Sequence, residues 1–138
     1  MRNLILILLL TISSIKLYAT HAAGMDISYE CISQGSNSDI YKITLKFYRD
    51  CEGYVAPGYG ANPLLELNYN SSCGSGTSTL QSIGSAININ PACLSYCNGG
   101  TGLGIEQYTY ETTITLSHCS NWILSVCEEN RNNAITTI

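Results

Sequence analysis

Tyr41-Lys42-Ile43-Thr44-Leu45-Lys46-Phe47-Tyr48-Arg49-Asp50-Cys51 decides the fold class. Tyr41, Ile43, Leu45 and Phe47 alternate strictly with Lys42, Thr44 and Lys46. A period of two puts successive side chains on opposite faces of a strand, so one face is buried and the other meets solvent. Outward from this stretch the same habit recurs. Ile27, Tyr29 and Cys31 alternate with Asp26, Ser28 and Glu30. Leu65, Leu67 and Tyr69 alternate with Glu66 and Asn68. Ile83, Ile87 and Ile89 share one parity. Tyr108, Tyr110, Ile114 and Leu116 stand opposite Thr109, Glu111, Thr113 and Thr115. Trp122, Leu124 and Val126 continue the pattern, and Ala134 to Ile138 reads as a last strand. β-branched residues and tyrosines favour a pleated, half-buried surface.

Turn-formers fill the gaps. Ser33 to Asp39 is a polar loop, and Cys51 to Pro63 holds Pro57, Pro63 and three glycines. Ser71 to Ser78 is a Gly/Ser-rich loop around Cys73, and Asn90 to Gly104 carries Pro91, Cys93, Cys97 and four glycines. Such residues break regular structure. No stretch shows a 3.6-residue period with caps. The expected architecture is therefore all-β: a single Ig-like antiparallel β-sandwich of about six to seven strands. A small closed barrel is the alternative.

The chain has 138 residues, and its first 22 read as a signal peptide. Met1-Arg2-Asn3 is the positive start, Leu4 to Ile12 the apolar run, and cleavage is expected after Ala19 or Ala22. Lys16 interrupts the run before it reaches the roughly 20 residues that a membrane span needs. Residues 23–138 then form one domain, of a size that buries a modest core. No transmembrane helix is expected after cleavage, and the product is expected to be secreted, extracellular or at the cell surface.

Beyond the signal, Lys42, Lys46, Arg49 and Arg131 oppose ten acids, for a net charge of −6. Four scattered cations make a poor nucleic-acid ligand, because affinity there comes largely from phosphate neutralisation. They also form no polybasic cluster for anionic lipid.

All seven cysteines follow the signal: Cys31, Cys51, Cys73, Cys93, Cys97, Cys119 and Cys127. Behind an export signal the default reading is disulfides. Three bridges drawn from seven cysteines allow on the order of a hundred arrangements, so the pairing stays open. One thiol is left over. Cys73, Cys93 and Cys97 read as staples for the long loops. Zinc is not expected, because Cys93-x3-Cys97 and Cys119-x7-Cys127 are not paired ligand sets and His118 has no histidine partner nearby.

Catalytic signals are sparse. His118 adjoins Cys119, but neighbours in a strand point to opposite faces. Asp50 with Glu52, and Glu128 with Glu129, read as solvated charge rather than as an acid/base pair. Arg49 with Asp50 reads as a local ion pair or a turn element. The tract Asn98-Gly99-Gly100-Thr101-Gly102-Leu103-Gly104 lacks the lysine and the strand-to-helix setting of a phosphate loop. No Asp-x-Asp-x-Asp calcium run occurs. No catalytic, cofactor or metal residue is therefore assigned. Asn70-Ser71-Ser72 matches the glycosylation pattern. Loop tyrosines, with their apolar ring and polar tip, can stack on sugars or anchor a protein. Tyr54, Tyr59 and Tyr96 are the candidate binding-loop residues, and a surface glycan or protein is the candidate partner.

Gly24-Met25-Asp26-Ile27-Ser28-Tyr29-Glu30-Cys31, the Tyr-Arg-Asp-Cys element at 48–51 and Arg131-Asn132-Asn133-Ala134-Ile135 together resemble the N-terminal domain of large secreted surface proteins of Bacteroidetes. The resemblance implies a cell-surface setting, continuation into PKD or Ig-like repeats, and a gliding-motility-associated C-terminal domain that serves type IX secretion. Sequences of that kind tend to carry Cys-Cys before the Arg-Asn element, where this chain has Glu129-Asn130. Against that pattern the chain stopping at Ile138 reads as a fragment, a truncated gene or a stand-alone copy. The function expected is a non-enzymatic extracellular structural or adhesion module. A small secreted hydrolase is the alternative, and a disulfide-rich inhibitor ranks last.

Overall fold

A computed structural model describes residues 22–51, 55–59, 63–89, 95–102 and 104–128. Residues 1–21 of the expected signal peptide, Tyr54, Cys93 and the strand expected at Ala134–Ile138 lie outside the described residues, whereas Ala22, the last residue read as signal, opens β1 and is buried. Among the described residues seven strands run in chain order: β1 Ala22–Gln34, β2 Ser38–Asp50, β3 Glu66–Ser71, β4 Gly74–Thr79, β5 Gln81–Asn88, β6 Ile105–Ser117 and β7 Ile123–Val126. They form a four-stranded sheet in the order β1-β2-β6-β5 and a three-stranded sheet in the order β4-β3-β7. Every strand pairing is antiparallel. The protein is an all-β sandwich.

The opening stretch forms the backbone of the larger sheet. Ile43, Leu45 and Phe47 of β2 point inward and are buried. In register beside them stand Tyr108 and Tyr110 of β6, with Phe47 opposite Tyr108 and Leu45 opposite Tyr110. Ile114 and Leu116 extend the same face, and Leu65, Leu67, Leu80 and Ala56 close it from the other layer. Burying each large apolar side chain is worth roughly 1.5–3 kcal/mol, so this shared face is the main stabilising element. Lys42 points outward and pairs with Glu111 at 2.8 Å.

Two elements differ from the sequence reading. The Gly/Ser-rich segment read as a loop contains β4, which pairs with β3 from Glu66↔Thr79 to Ser71↔Gly74. Its strand character comes from its neighbour. Tyr69 lies across from Gly76, and a Cβ on Gly76 would fall 2.6 Å from the Tyr69 hydroxyl oxygen. Glycine in a strand often marks such a close approach. The second difference is on β5. Ile83, Ile87 and Ile89 share a parity but are exposed, because Ile83 and Ile87 pair with Thr109 and Gln107 on the outer face of β6. A register shift between them, at Gly84 with φ 67°, lets both isoleucines keep that face.

The strands define two poles. At one, β2 ends at Asp50 and β6 begins at Ile105; segment 51–65 passes from β2 to β3 in the other layer, and segment 89–104 joins β5 to β6 within the larger sheet. At the other lie the β3–β4 turn and the β6–β7 connection.

Candidate functional site

The first pole gathers most of the residues that the sequence singles out. Its floor is an ion pair on the inner side of the sheet. Arg49 shares the parity of Phe47, and its register partner on β6 is Glu106. The Arg49 Nε donates to Glu106 Oε2 at 2.9 Å, and Nη2 lies 2.8 Å from the same oxygen. The guanidinium also sits 5.6 Å from the centroid of the Tyr108 ring. The Tyr108 hydroxyl donates to Glu106 at 3.0 Å. Burial, and then this bond to a carboxylate, push the Tyr108 phenol above its ordinary pKa. A charged group on an inward parity needs a partner on the neighbouring strand. The parity of Arg49 was the signal for Glu106; the sequence reading considered only Asp50 next door.

Above this floor the two loops are pinned. The buried Tyr110 hydroxyl donates to the Pro57 carbonyl at 2.7 Å. Tyr59 packs edge-on against Tyr108, with ring centroids 5.0 Å apart, and its hydroxyl donates to Gly84 at 3.5 Å. Tyr59 is therefore half-buried and serves as loop-base packing. Tyr96 is 45% exposed and begins a single 3₁₀ turn, Tyr96–Asn98. Ser95 caps that turn by accepting from the Cys97 amide, and Gly99 ends it at φ 78°.

Cys51 and Cys97 form a disulfide with Cα atoms 5.2 Å apart, tying one loop to the other. A Cβ on Gly104 would lie 2.5 Å from Ser95 Oγ and 2.6 Å from Cys97 Sγ, so only glycine fits there. The glycine tract is thus a compact, bridge-locked turn. Cys51, Cys97 and Glu106 place ligand-type atoms within 4.8 Å of one another, but both sulfurs are already joined in the disulfide and are not free as thiolate ligands.

The second pole has its own bridge, Cys73–Cys119, with Cα atoms 6.3 Å apart. This places Cys119 in a disulfide, so it is no nucleophile for His118. That imidazole instead meets Asp39 at 3.1 Å. The hydrogen bond from His118 lowers the Asp39 pKa; partial burial acts against it, and the Gly35 amide helps. The contribution of Asp39 to stability is present above its ordinary pKa and is lost as pH falls through the lowered folded value.

Of the remaining cysteines, Cys31 and Cys127 are exposed free thiols, not bridge partners. They stand at opposite ends of the sandwich. Cys127 follows Val126, which shares a hollow with Ala22. Cys31 lies nine residues further along β1, about 30 Å away at the rise of a strand,. Of the carboxylate pairs, Glu52 and Glu129 lie outside the described residues. Asn70 is exposed near the end of β3.

The first pole thus presents the exposed Tyr96 ring on a turn tied down by the Cys51–Cys97 bridge. Disulfides accumulate in oxidising compartments, so the two bridges fit an extracellular location,. Among the described residues no helix is long and apolar enough to cross a membrane. No family model, curated protein or solved structure matches the chain.

Proposed function

We propose that this chain is a non-enzymatic extracellular module used for surface structure or adhesion, and that the Cys51–Cys97 pole is its contact surface. The observation that carries the reading is the bridge between two separate long loops. Without it each loop would sample many conformations, and a partner would have to order both on binding. With it, Tyr96 stands exposed on a turn that is already fixed. Recognition residues tend to sit on loops held by a rigid scaffold, and here the scaffold is the Phe47–Tyr110 core beneath them. An exposed tyrosine on a fixed turn suits a sugar ring or a protein surface. The resemblance to N-terminal domains of Bacteroidetes surface proteins supports the same setting.

The test is binding of the oxidised chain to a glycan array and to bacterial and host cell surfaces, compared with Tyr96→Ala and with a variant in which 98–102 is replaced by serine and glycine. Anchor residues of an interface commonly contribute more than 1 kcal/mol, so Tyr96→Ala should weaken binding by about tenfold. Binding that ignores both changes would overturn the assignment of the surface. Turnover of a glycoside, ester or peptide substrate by the purified chain would overturn the non-enzymatic reading.

A further inference from the structure

Among the described residues the two sheets are unequal, and the strand order leaves one place of the sandwich unfilled. In an immunoglobulin sandwich one sheet runs A-B-E-D, and the other runs C′-C-F with a last strand, G, on the outer edge of F. Here β1-β2-β6-β5 occupies A-B-E-D, and β4-β3-β7 occupies C′-C-F. The place of G is the outer edge of β7. Among the described residues β7 pairs with β3 alone, and β1, which faces that side of the sandwich from the other sheet, pairs with β2 alone.

The packing shows the same gap. Between β1 and β7 lie two adjoining hollows of about 260 and 380 Å³ that share Ile27 and Leu124. Their walls include Met25, Val126, Tyr29 and Trp122. Tyr29 and Ile27 are on the inward parity of β1, opposite the buried Ile43 and Leu45, yet they are 71% and 39% exposed. An inward-facing apolar row left in solvent is a surface built to be covered.

The chain itself leads to this groove. It leaves β7 at Val126, at the Ala22 end of the hollow. Cys127 to Asn133 reads Cys-Glu-Glu-Asn-Arg-Asn-Asn, a polar run rich in turn-formers,. Ala134-Ile135-Thr136-Thr137-Ile138 follows, rich in β-branched residues,. Five extended residues reach about 17 Å, enough to run the length of a four-residue β7. Either parity places an isoleucine inward, Ile135 or Ile138. A short polar connection back to the adjacent edge is also the commonest way for consecutive antiparallel strands to pair.

We propose that Ala134–Ile138 of the same chain is the missing strand, returning antiparallel along the free edge of β7 and closing the groove against β1.

Amide hydrogen exchange on the oxidised full chain, at a concentration where it is monomeric, tests this directly. Ala134–Ile138 and the β7 amides not bonded to β3 should exchange at least about tenfold more slowly than unprotected amides. Trp122 is the only tryptophan of the chain and lines the groove, so it gives a second readout. The double substitution Ile135→Asp and Ile138→Asp charges the inward position in either register. It should red-shift Trp122 emission, raise its quenching by acrylamide and speed exchange in β7. Unprotected exchange in both segments of the unmodified monomer would overturn the proposal, whether or not the variant folds. Protection that appears only in a concentration-dependent dimer would overturn it too, and would assign the groove to a strand from a second copy.

Discussion

At the scale of single residues, burial separates the polar contacts that matter from those that do not. Lys42 and Glu111 meet at 2.8 Å on the outer face, both partly exposed to solvent. A pair of that kind contributes about 0–1 kcal/mol. The Tyr110 hydroxyl is different. It lies in the core and donates to the Pro57 carbonyl, which is buried as well. Tyr110→Phe keeps the ring and its packing but leaves that carbonyl without this donor. The expected loss is about 1–3 kcal/mol, read from urea denaturation. Lys42→Ala in the same assay should shift stability by less than about 1 kcal/mol. Equal effects from the two changes would mean that the Tyr110 bond does not hold the 55–59 segment to the core. The distinction is invisible to composition. Tyr110 shows its inward parity in the sequence, but its acceptor lies 53 residues away and is set only by the fold.

At the scale of elements, β2 and β6 were legible because their alternation is long and each apolar residue falls on one parity. Their thirteen-residue register follows from it: a slip by one would turn Ile43, Leu45 and Phe47 to solvent,. β4 was not legible, because Gly74-Ser75-Gly76-Thr77-Ser78-Thr79 has no apolar residue to alternate. Its partner β3 and the ring of Tyr69 make it a strand. The isoleucines of β5 misled for the opposite reason: their parity is real, but it faces outward. The candidate site divides the same way. Tyr96 and the loop cysteines could be found from turn chemistry, whereas Glu106 becomes a site residue only once the β2–β6 register places it opposite Arg49. The β4 account has a direct test. Gly76→Ala puts a methyl where the Tyr69 ring lies, and Tyr69 in turn packs against Trp122 at 6.1 Å. Overpacking of this kind typically costs about 1–3 kcal/mol. The change should lower the denaturation midpoint and alter Trp122 fluorescence. Adding Tyr69→Ala should relieve the clash, so the double variant should be more stable than the two single losses sum to. Strict additivity would show that Gly76 is there for some other reason.

At the scale of the whole molecule, the two disulfides form a natural comparison. Both join residues 46 apart in sequence. If a bridge acts only by restricting the unfolded chain, equal loops give equal stabilisation, about 4 kcal/mol each. Cys51→Ser with Cys97→Ser, and Cys73→Ser with Cys119→Ser, should then lower stability by similar amounts in chemical denaturation. The native structure predicts a difference of another kind. Cys73–Cys119 joins the short β3–β4 turn to the β6–β7 connection, and Ser72 and Asn121 also bond across that gap at 3.1 Å. Cys51–Cys97 joins two long segments, and the 3₁₀ turn that carries Tyr96 is built around Cys97. Removing the first pair should leave amide exchange at 95–102 unchanged and surface binding intact. Removing the second should speed exchange there and weaken binding by as much as Tyr96→Ala does, at the same loss of global stability. Matched denaturation curves with divergent exchange and binding would show that one bridge holds the fold while the other also holds the contact surface. Identical behaviour in all three measurements would return both to purely structural roles and remove the first pole as the place where partners dock.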